Sequence, residues 1–240
     1  MAKTISDERW EAAQKAEKIS WIRTINFSEE LLRFIYEKYV FLGKIKANCP
    51  QSLIPPSGRL GEALEIGIGP LRLGVVTLLE PIDQWNITGI DPLEEMELKH
   101  APKHIVALYQ YLRNRSPLKF FQTSAEKLQF ESAQFDLIVC YNVLDHTLNP
   151  YAILDEIHRV LRPGGYFLLG LDALSLANWV RHKLFIKDVH HPYKFTSWHV
   201  ENLLPKHRFK IIYLEKQRRE LLLRLIAQCR RLTVIGQKSE

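Results

Sequence analysis

Cysteine is scarce in this chain. Its three, Cys49, Cys140 and Cys229, are too few and too scattered for a disulfide framework or a zinc site. Long apolar runs are absent as well: none approaches the roughly 18–20 residues needed to cross a bilayer. The opening residues, Met1 to Glu8, lack the apolar stretch of a secretory signal. No internal repeat or low-complexity tract is visible. These absences lead us to expect a reduced, cytoplasmic protein. The rest of the composition is ordinary for a globular enzyme-sized chain: 240 residues, 46% hydrophobic and 25% charged. That suits one α/β domain with a modest appendage, large enough to fold without staples.

The formal net charge is +6, and much of the excess is local. Lys206, Arg208, Lys210, Lys216, Arg218, Arg219, Arg224, Arg230 and Arg231 face only Glu215 and Glu220 in the same stretch. Such a run either contacts an acidic substrate, nucleic acid or membrane surface, or is a solvated face.

The N-terminal quarter reads as helical. Residues 5–22 carry Trp10, Ala13 and Ile19 among polar positions. Ser28 reads as the cap of a second helix, with Glu29 and Glu30 suiting its dipole, and an apolar stripe runs to about residue 46. The turn-rich stretch from Cys49 to Gly58 then separates a helical cap and linker (1–57) from a main domain (58–240). The main domain alternates strand and helix. Strands are expected at 63–66, 86–90, 118–121, 135–140 and 166–169. Helices are expected from Pro70 through Leu79, after Asp91 up to about Arg113 with an interruption at Pro102, and from Asn149-Pro150 to Leu161. This alternation implies a mostly parallel sheet with helices on both faces, and ligands beyond the carboxyl ends of its strands.

Those strand ends carry the informative residues. Glu65-Ile66-Gly67-Ile68-Gly69-Pro70-Leu71 joins the first strand to the first helix expected in the main domain. Glycines allow a tight turn and close approach to a ligand, and amides at a helix start can hold an anion. The loop is wrong for a dinucleotide. The position that needs a small third residue holds Arg72, and Glu65 would repel a pyrophosphate. A carboxylate there suits instead the ammonium and sulfonium of S-adenosylmethionine. Asp91, at the end of the second strand, either accepts hydrogen bonds from ribose hydroxyls or caps a helix opening at Pro92.

With these stretches in order, the chain resembles the class I S-adenosylmethionine-dependent methyltransferases, especially the broad type 11-like branch acting on small molecules and lipids. Four stretches carry the resemblance: 64–70, Gly89-Ile90-Asp91, 135–146, and Leu161-Arg162-Pro163-Gly164-Gly165. It implies a Rossmann-like, doubly wound seven-stranded sheet that closes on a reversed hairpin, with 209–214 and 232–235 as its strands and 218–228 between them. It also implies residue roles. Glu65, Gly67 and Gly69 would line the methionine end of the cofactor. Asp91 and Pro92 would lie at the ribose, Ser124 and Ala125 beside adenine, and Tyr141 and Asn142 against the methionine portion and the entering acceptor. The chain departs from the family at Leu71, where a third glycine is common, and at Ser124, where an aspartate is common.

Methyl transfer is an in-line displacement, so positioning supplies much of the catalysis. A hydroxyl acceptor gains from a general base. His146 is the leading candidate for that base; the alternative is a structural histidine bonding a neighbouring loop. Asp145 either orients His146 or caps the next helix. A second cluster spans Asp188 to Thr196, where this family inserts substrate-recognition elements. From it His191 and Tyr193 are expected to recognise the acceptor, and Thr196 to cap a helix. Asp188, His190 and His191 without a distant partner make a poor metal site, so no metal is expected. Trp10, Trp21 and Phe27 either line the acceptor pocket or belong to the core. The reading is a methyltransferase for a small-molecule, lipid or saccharide acceptor, on oxygen. An RNA methyltransferase using the basic segment and a non-catalytic cofactor-binding protein are the alternatives.

Overall fold

The central strands of this chain are buried on both faces, and β4 (Phe135–Tyr141) shows why the sheet is central. Successive side chains point to opposite faces of a strand. Ile138 and Cys140 join one core, while Leu137, Val139 and Tyr141 join the other. The computed structural model describes residues 5–98, 101–115, 117–175, 178–180, 191–216 and 229–239. Within them the elements are α1 (Asp7–Asn26), α2 (Ser28–Asn48), β1 (Gly61–Ile66), β2 (Trp85–Asp91), α3 (Lys103–Asn114), β3 (Leu118–Gln122) and β4. Then come α4 (Pro150–Val160), β5 (Leu161–Leu174), α5 (Ser197–Lys206), β6 (Phe209–Lys216) and β7 (Cys229–Lys238).

The seven strands lie in the order β3-β2-β1-β4-β5-β7-β6. β1 to β5 pair in parallel, and β7 runs antiparallel to both β5 and β6. The order reverses at β1, with β2 on one side and β4 on the other, so the crevice for a ligand opens beyond the carboxyl ends of these strands. One face packs on α4 and α5 through Ile153, Leu154, Ile157, Val200 and Leu204. The opposite face packs on α2 through Phe41 and Ile45. A third cluster ties α1, α2 and α3 to the turns after β1. Among the described residues no helix is long and apolar enough to cross a membrane.

Local chemistry sets several boundaries. Ser6 caps α1, and Asn149 caps α4 by accepting from the amides of Tyr151 and Ala152. Thr196 caps α5 in a reciprocal box with His199. Ser28 is the first residue of α2, and Phe27 takes the capping position. α4 ends at Val160, so Arg162 to Gly165 run within β5 at a register shift rather than after a helix.

The helix expected from Pro70 to Leu79 is absent. Turns occupy this stretch, with one 3-10 turn at Val76–Leu78. Arg72 has a φ of 54°, outside the right-handed helical region. Leu71, Leu73, Val75, Val76, Leu78 and Leu79 are all buried, so the run has no solvated face. Helix is likewise missing between Pro92 and Leu98. The basic residues Arg218, Arg219 and Arg224, and the segment 218–228, lie outside the described residues.

Candidate active site

The ends of β1, β2 and β4 meet in one cavity, closed from above by α1 and α2. Gly67, Gly69, Asp91, Pro92, Ser124, Ala125, Tyr141, Asn142 and His146 all line it. The sequence therefore identifies most of its floor. Gly67 and Gly69 have φ of 70° and 85°. A Cβ on Gly67 would sit 2.1 Å from Val143 Cγ2, and one on Gly69 3.0 Å from the Trp21 ring. Only glycine fits both the conformation and the space.

The loop's amides have partners. Those of Gly67 and Ile68 donate to the Ile90 carbonyl at 2.9 and 3.1 Å. That of Gly69 donates to Asp91 Oδ2 at 2.8 Å, and that of Leu93 to Oδ1 at 2.8 Å. With no helix starting here, the anion-binding helix end expected from the sequence does not exist. Asp91 keeps one further lone pair on each oxygen for a hydroxyl donor. Burial holds its carboxyl above the usual range, against the pull of the two amides. Arg72 does not line the cavity. Its guanidinium lies 3.2 Å from the centre of the Phe120 ring and donates to the Leu93 carbonyl.

Glu65 is placed differently from the expectation. It is fully buried and does not line the cavity. Its Oε2 accepts from the Val76 amide at 2.9 Å, and its Oε1 lies 3.6 Å from Lys38 Nζ. Lys38, from α2, lines the cavity in its place, 4.4 Å from the Phe34 ring centre and 5.2 Å from that of Tyr141. Burial lowers the pKa of this lysine, against the attraction of Glu65.

Tyr141 is buried, which pushes its phenol up to about 12. Its hydroxyl accepts from Arg231, which also binds Asp172 at 2.7 Å and approaches Glu37 at 3.5 Å. Arg231 thus turns into the cavity from β7 rather than adding to a solvated basic face. Asn142 holds a φ of 59° and donates its amide to the Gly170 carbonyl at 2.7 Å. Glu126 ties the loop after β3 to the start of α4 by accepting from the amides of Leu148 and Asn149.

Asp145, His146 and His191 converge beside the cavity, which His146 lines and the other two do not. His146 Nε2 lies 3.8 Å from Asp145 Oδ1, and His146 Nδ1 lies 3.6 Å from Glu17 Oε2 on α1. His191 Nε2 is 4.0 Å from Asp145 Oδ2, and the two imidazole centres are 4.6 Å apart. Tyr193 is a strut. Its hydroxyl donates to the Leu148 carbonyl at 2.9 Å and its amide to that of Asp145 at 3.2 Å, and it does not line the cavity. Asp188 and His190 lie outside the described residues. Trp10 and Trp21 line the cavity; Phe27 is exposed, and Phe34 takes the place expected for it.

The lining fits S-adenosylmethionine. Five carboxylates (Glu17, Glu30, Glu37, Asp91, Glu126) face three cations (Arg33, Lys38, Arg231) among aromatic rings. An acidic wall with one buried lysine suits a ligand that is cationic at its sulfonium and amine and anionic at its carboxylate. Sequence reasoning missed Lys38, Glu17 and Arg231. The signal for Lys38 was a charge on the apolar stripe of α2; Arg231 was hidden in a basic run.

Residues 64–169 match the family model of the methyltransferase domain. A ubiquinone biosynthesis O-methyltransferase of Pseudomonas aeruginosa is 32% identical over 109 residues, 45% of this chain and 43% of that protein. An uncharacterised methyltransferase of Schizosaccharomyces pombe is 31% identical over 113 residues, 43% of this chain and 37% of that protein. The matches thus span about two fifths of these relatives. Among solved structures, a Burkholderia thailandensis 1,6-didemethyltoxoflavin-N1-methyltransferase with bound S-adenosylhomocysteine aligns over 100% of this chain and 93% of its own. Its TM-score is 0.62 at 17% identity. The YcgJ protein of Bacillus subtilis aligns over 84% and 99%, with a TM-score of 0.58 at 17% identity.

Proposed function

We propose, on the premise that residues 64–169 are a class I S-adenosylmethionine-dependent methyltransferase domain, that this chain methylates a hydroxyl of a small-molecule, lipid or saccharide acceptor. The observation that carries this reading is one cavity shared by the glycine loop, Asp91 and His146. When bound, S-adenosylmethionine supplies a methyl carbon already activated by its sulfonium. The chain's own residues would do the rest. Asp91 would accept from the ribose hydroxyls, and Ser124 and Ala125 would flank adenine. Lys38 would hold the amino-acid carboxylate in place of Glu65. Trp10, Trp21 and Phe34, from the cap (1–57), would exclude water and orient the acceptor against the methyl group.

His146 would take the acceptor's proton as the oxygen–methyl bond forms and the carbon–sulfur bond breaks. Asp145 and Glu17 stand on either side of its ring and would offset the charge it gains. His191 would complete the acceptor wall. The oxygen preference rests on these histidines. The RNA reading loses support because Lys216 pairs with Glu201 and Arg231 faces inward.

Calorimetry tests the cofactor first: S-adenosylhomocysteine should bind one per chain, and a nicotinamide dinucleotide should not. Methyl transfer from labelled S-adenosylmethionine to hydroxylated acceptors comes second. His146→Ala should lower kcat by about 10²–10⁴-fold with little change in cofactor affinity. Dinucleotide uptake without uptake of the demethylated product would refute the reading.

A further inference from the structure

We propose that Asp145, His146 and His191 form a binding site for one divalent cation of the borderline, imidazole-preferring class. Asp145 Oδ1 is buried with no hydrogen-bond partner, and the side chain is only 5% exposed. Both ring nitrogens of His146 are buried and unpartnered as well. Leaving such groups unsatisfied is unfavourable, above all for a carboxylate. One donor atom from each of the three residues lies within 4.8 Å of the other two, and among the described residues this is the one such group.

The donor set selects the ion. Two imidazoles and a carboxylate suit zinc, cobalt or nickel, whereas calcium and magnesium seek shells of oxygen. Bonds of about 2.0–2.1 Å put tetrahedral donors about 3.4 Å apart. The 3.8 and 4.0 Å separations, which run to the two different oxygens of Asp145, would close by about half an ångström, and the widest separation of the set, up to 4.8 Å, by about 1.4 Å. Glu17 adds an outer contact. It stands 3.6 Å from His146 Nδ1, just beyond hydrogen-bond reach, while Nε2 faces Asp145; a closer approach would give the carboxylate–histidine–metal arrangement that fixes a ligating ring.

Three protein donors leave a fourth position open, and of the three residues His146 is the one that lines the cavity. With the cation bound, His146 is one of its ligands and has no free nitrogen to take a proton, so the general-base role belongs to the metal-free protein. In the sequence His191 stands only beside Asp188 and His190. The fold supplies the distant partners that those residues lacked.

The inference goes beyond the methyl-transfer reading and does not rest on it. The test is cobalt(II) titration of the metal-stripped full chain, followed by visible absorption, with zinc(II) calorimetry alongside. We expect one equivalent to bind, with bands at least tenfold stronger than those of aqueous cobalt. Affinity should fall at least tenfold in His191→Ala and in Asp145→Asn, each checked for a cooperative melting transition, and several-fold in Glu17→Gln. Should either variant fail to fold, His191→Gln and the wild-type spectrum decide. Absence of uptake, bands no stronger than those of aqueous cobalt, or wild-type affinity in the folded variants would overturn the site. Cobalt uptake without uptake of S-adenosylhomocysteine would overturn the cofactor reading and leave this one standing.

Discussion

Lys38 occupies a core position of α2, in the series Leu31, Ile35, Lys38, Phe41 and Ile45. A lysine is tolerated there because Glu65 meets it beneath the glycine loop. A buried pair adds little net stability over a well-packed apolar pair, but removing one partner leaves an uncompensated charge, at about 3–5 kcal/mol. Lys38→Met should therefore destabilise the chain by about that amount, read by denaturant melting. Lys38→Met combined with Glu65→Gln should recover most of it. An additive double variant would show that the two residues do not act as a pair. Cofactor affinity should fall in both variants, because Lys38, and not Glu65, reaches the cavity.

The loop between β1 and the first turn is the element on which the cofactor reading turns. Gly67→Ala introduces a methyl group 2.1 Å from Val143 and a side chain at a φ of 70°. Strain at such a position costs about 1–3 kcal/mol, before any movement of Val143. We expect a lowered melting temperature and at least tenfold weaker uptake of S-adenosylhomocysteine. Wild-type affinity in this variant would place the ligand elsewhere. The loop also marks the boundary of what the sequence discloses. Strands β1, β2 and β4 were legible because short apolar runs ended at glycine or acidic residues. Gly67, Gly69, Asp91, Tyr141 and Asn142 were legible because they stand at those ends. The stretch from Pro70 to Leu79 misled because its apolar residues are buried all round, so no amphipathic period distinguishes helix from packed turn. Glu65 was placed in the cavity because a partner from α2 has no signature near the loop. The convergence of His191 with Asp145 and His146 was invisible for the same reason: it is made by the fold, not by spacing.

Across the whole molecule, buried Asp91 and half-buried His158 oppose each other in acid. Burial, with Arg208 and Lys238 nearby, pushes His158 down to about 4 from an ordinary value near 6.5. The unfolded chain then binds more protons between those values, so stability falls as pH drops from about 6.5 to about 4. Asp91 has the opposite sign. Its folded pKa is raised by burial, so the folded chain holds the extra proton, and stability rises as pH drops from that raised value toward the ordinary carboxylate range. Ribose hydroxyls donating to Asp91 would favour its charged form and cancel that gain. Saturating S-adenosylhomocysteine, at 100 times its dissociation constant, should stabilise the protein at neutral pH by about 2.7 kcal/mol. That corresponds to a melting temperature raised by roughly 5–10 °C for a chain of this size. The increment should shrink on acidification, and the loss should begin above the ordinary carboxylate range. In Asp91→Asn the increment should be smaller and nearly independent of pH over that window. In His158→Asn the acid slope of the unliganded protein should flatten while the ligand increment keeps its wild-type profile. An Asp91→Asn increment as large and as pH-dependent as that of the wild type would show that the ribose contact is made by another residue.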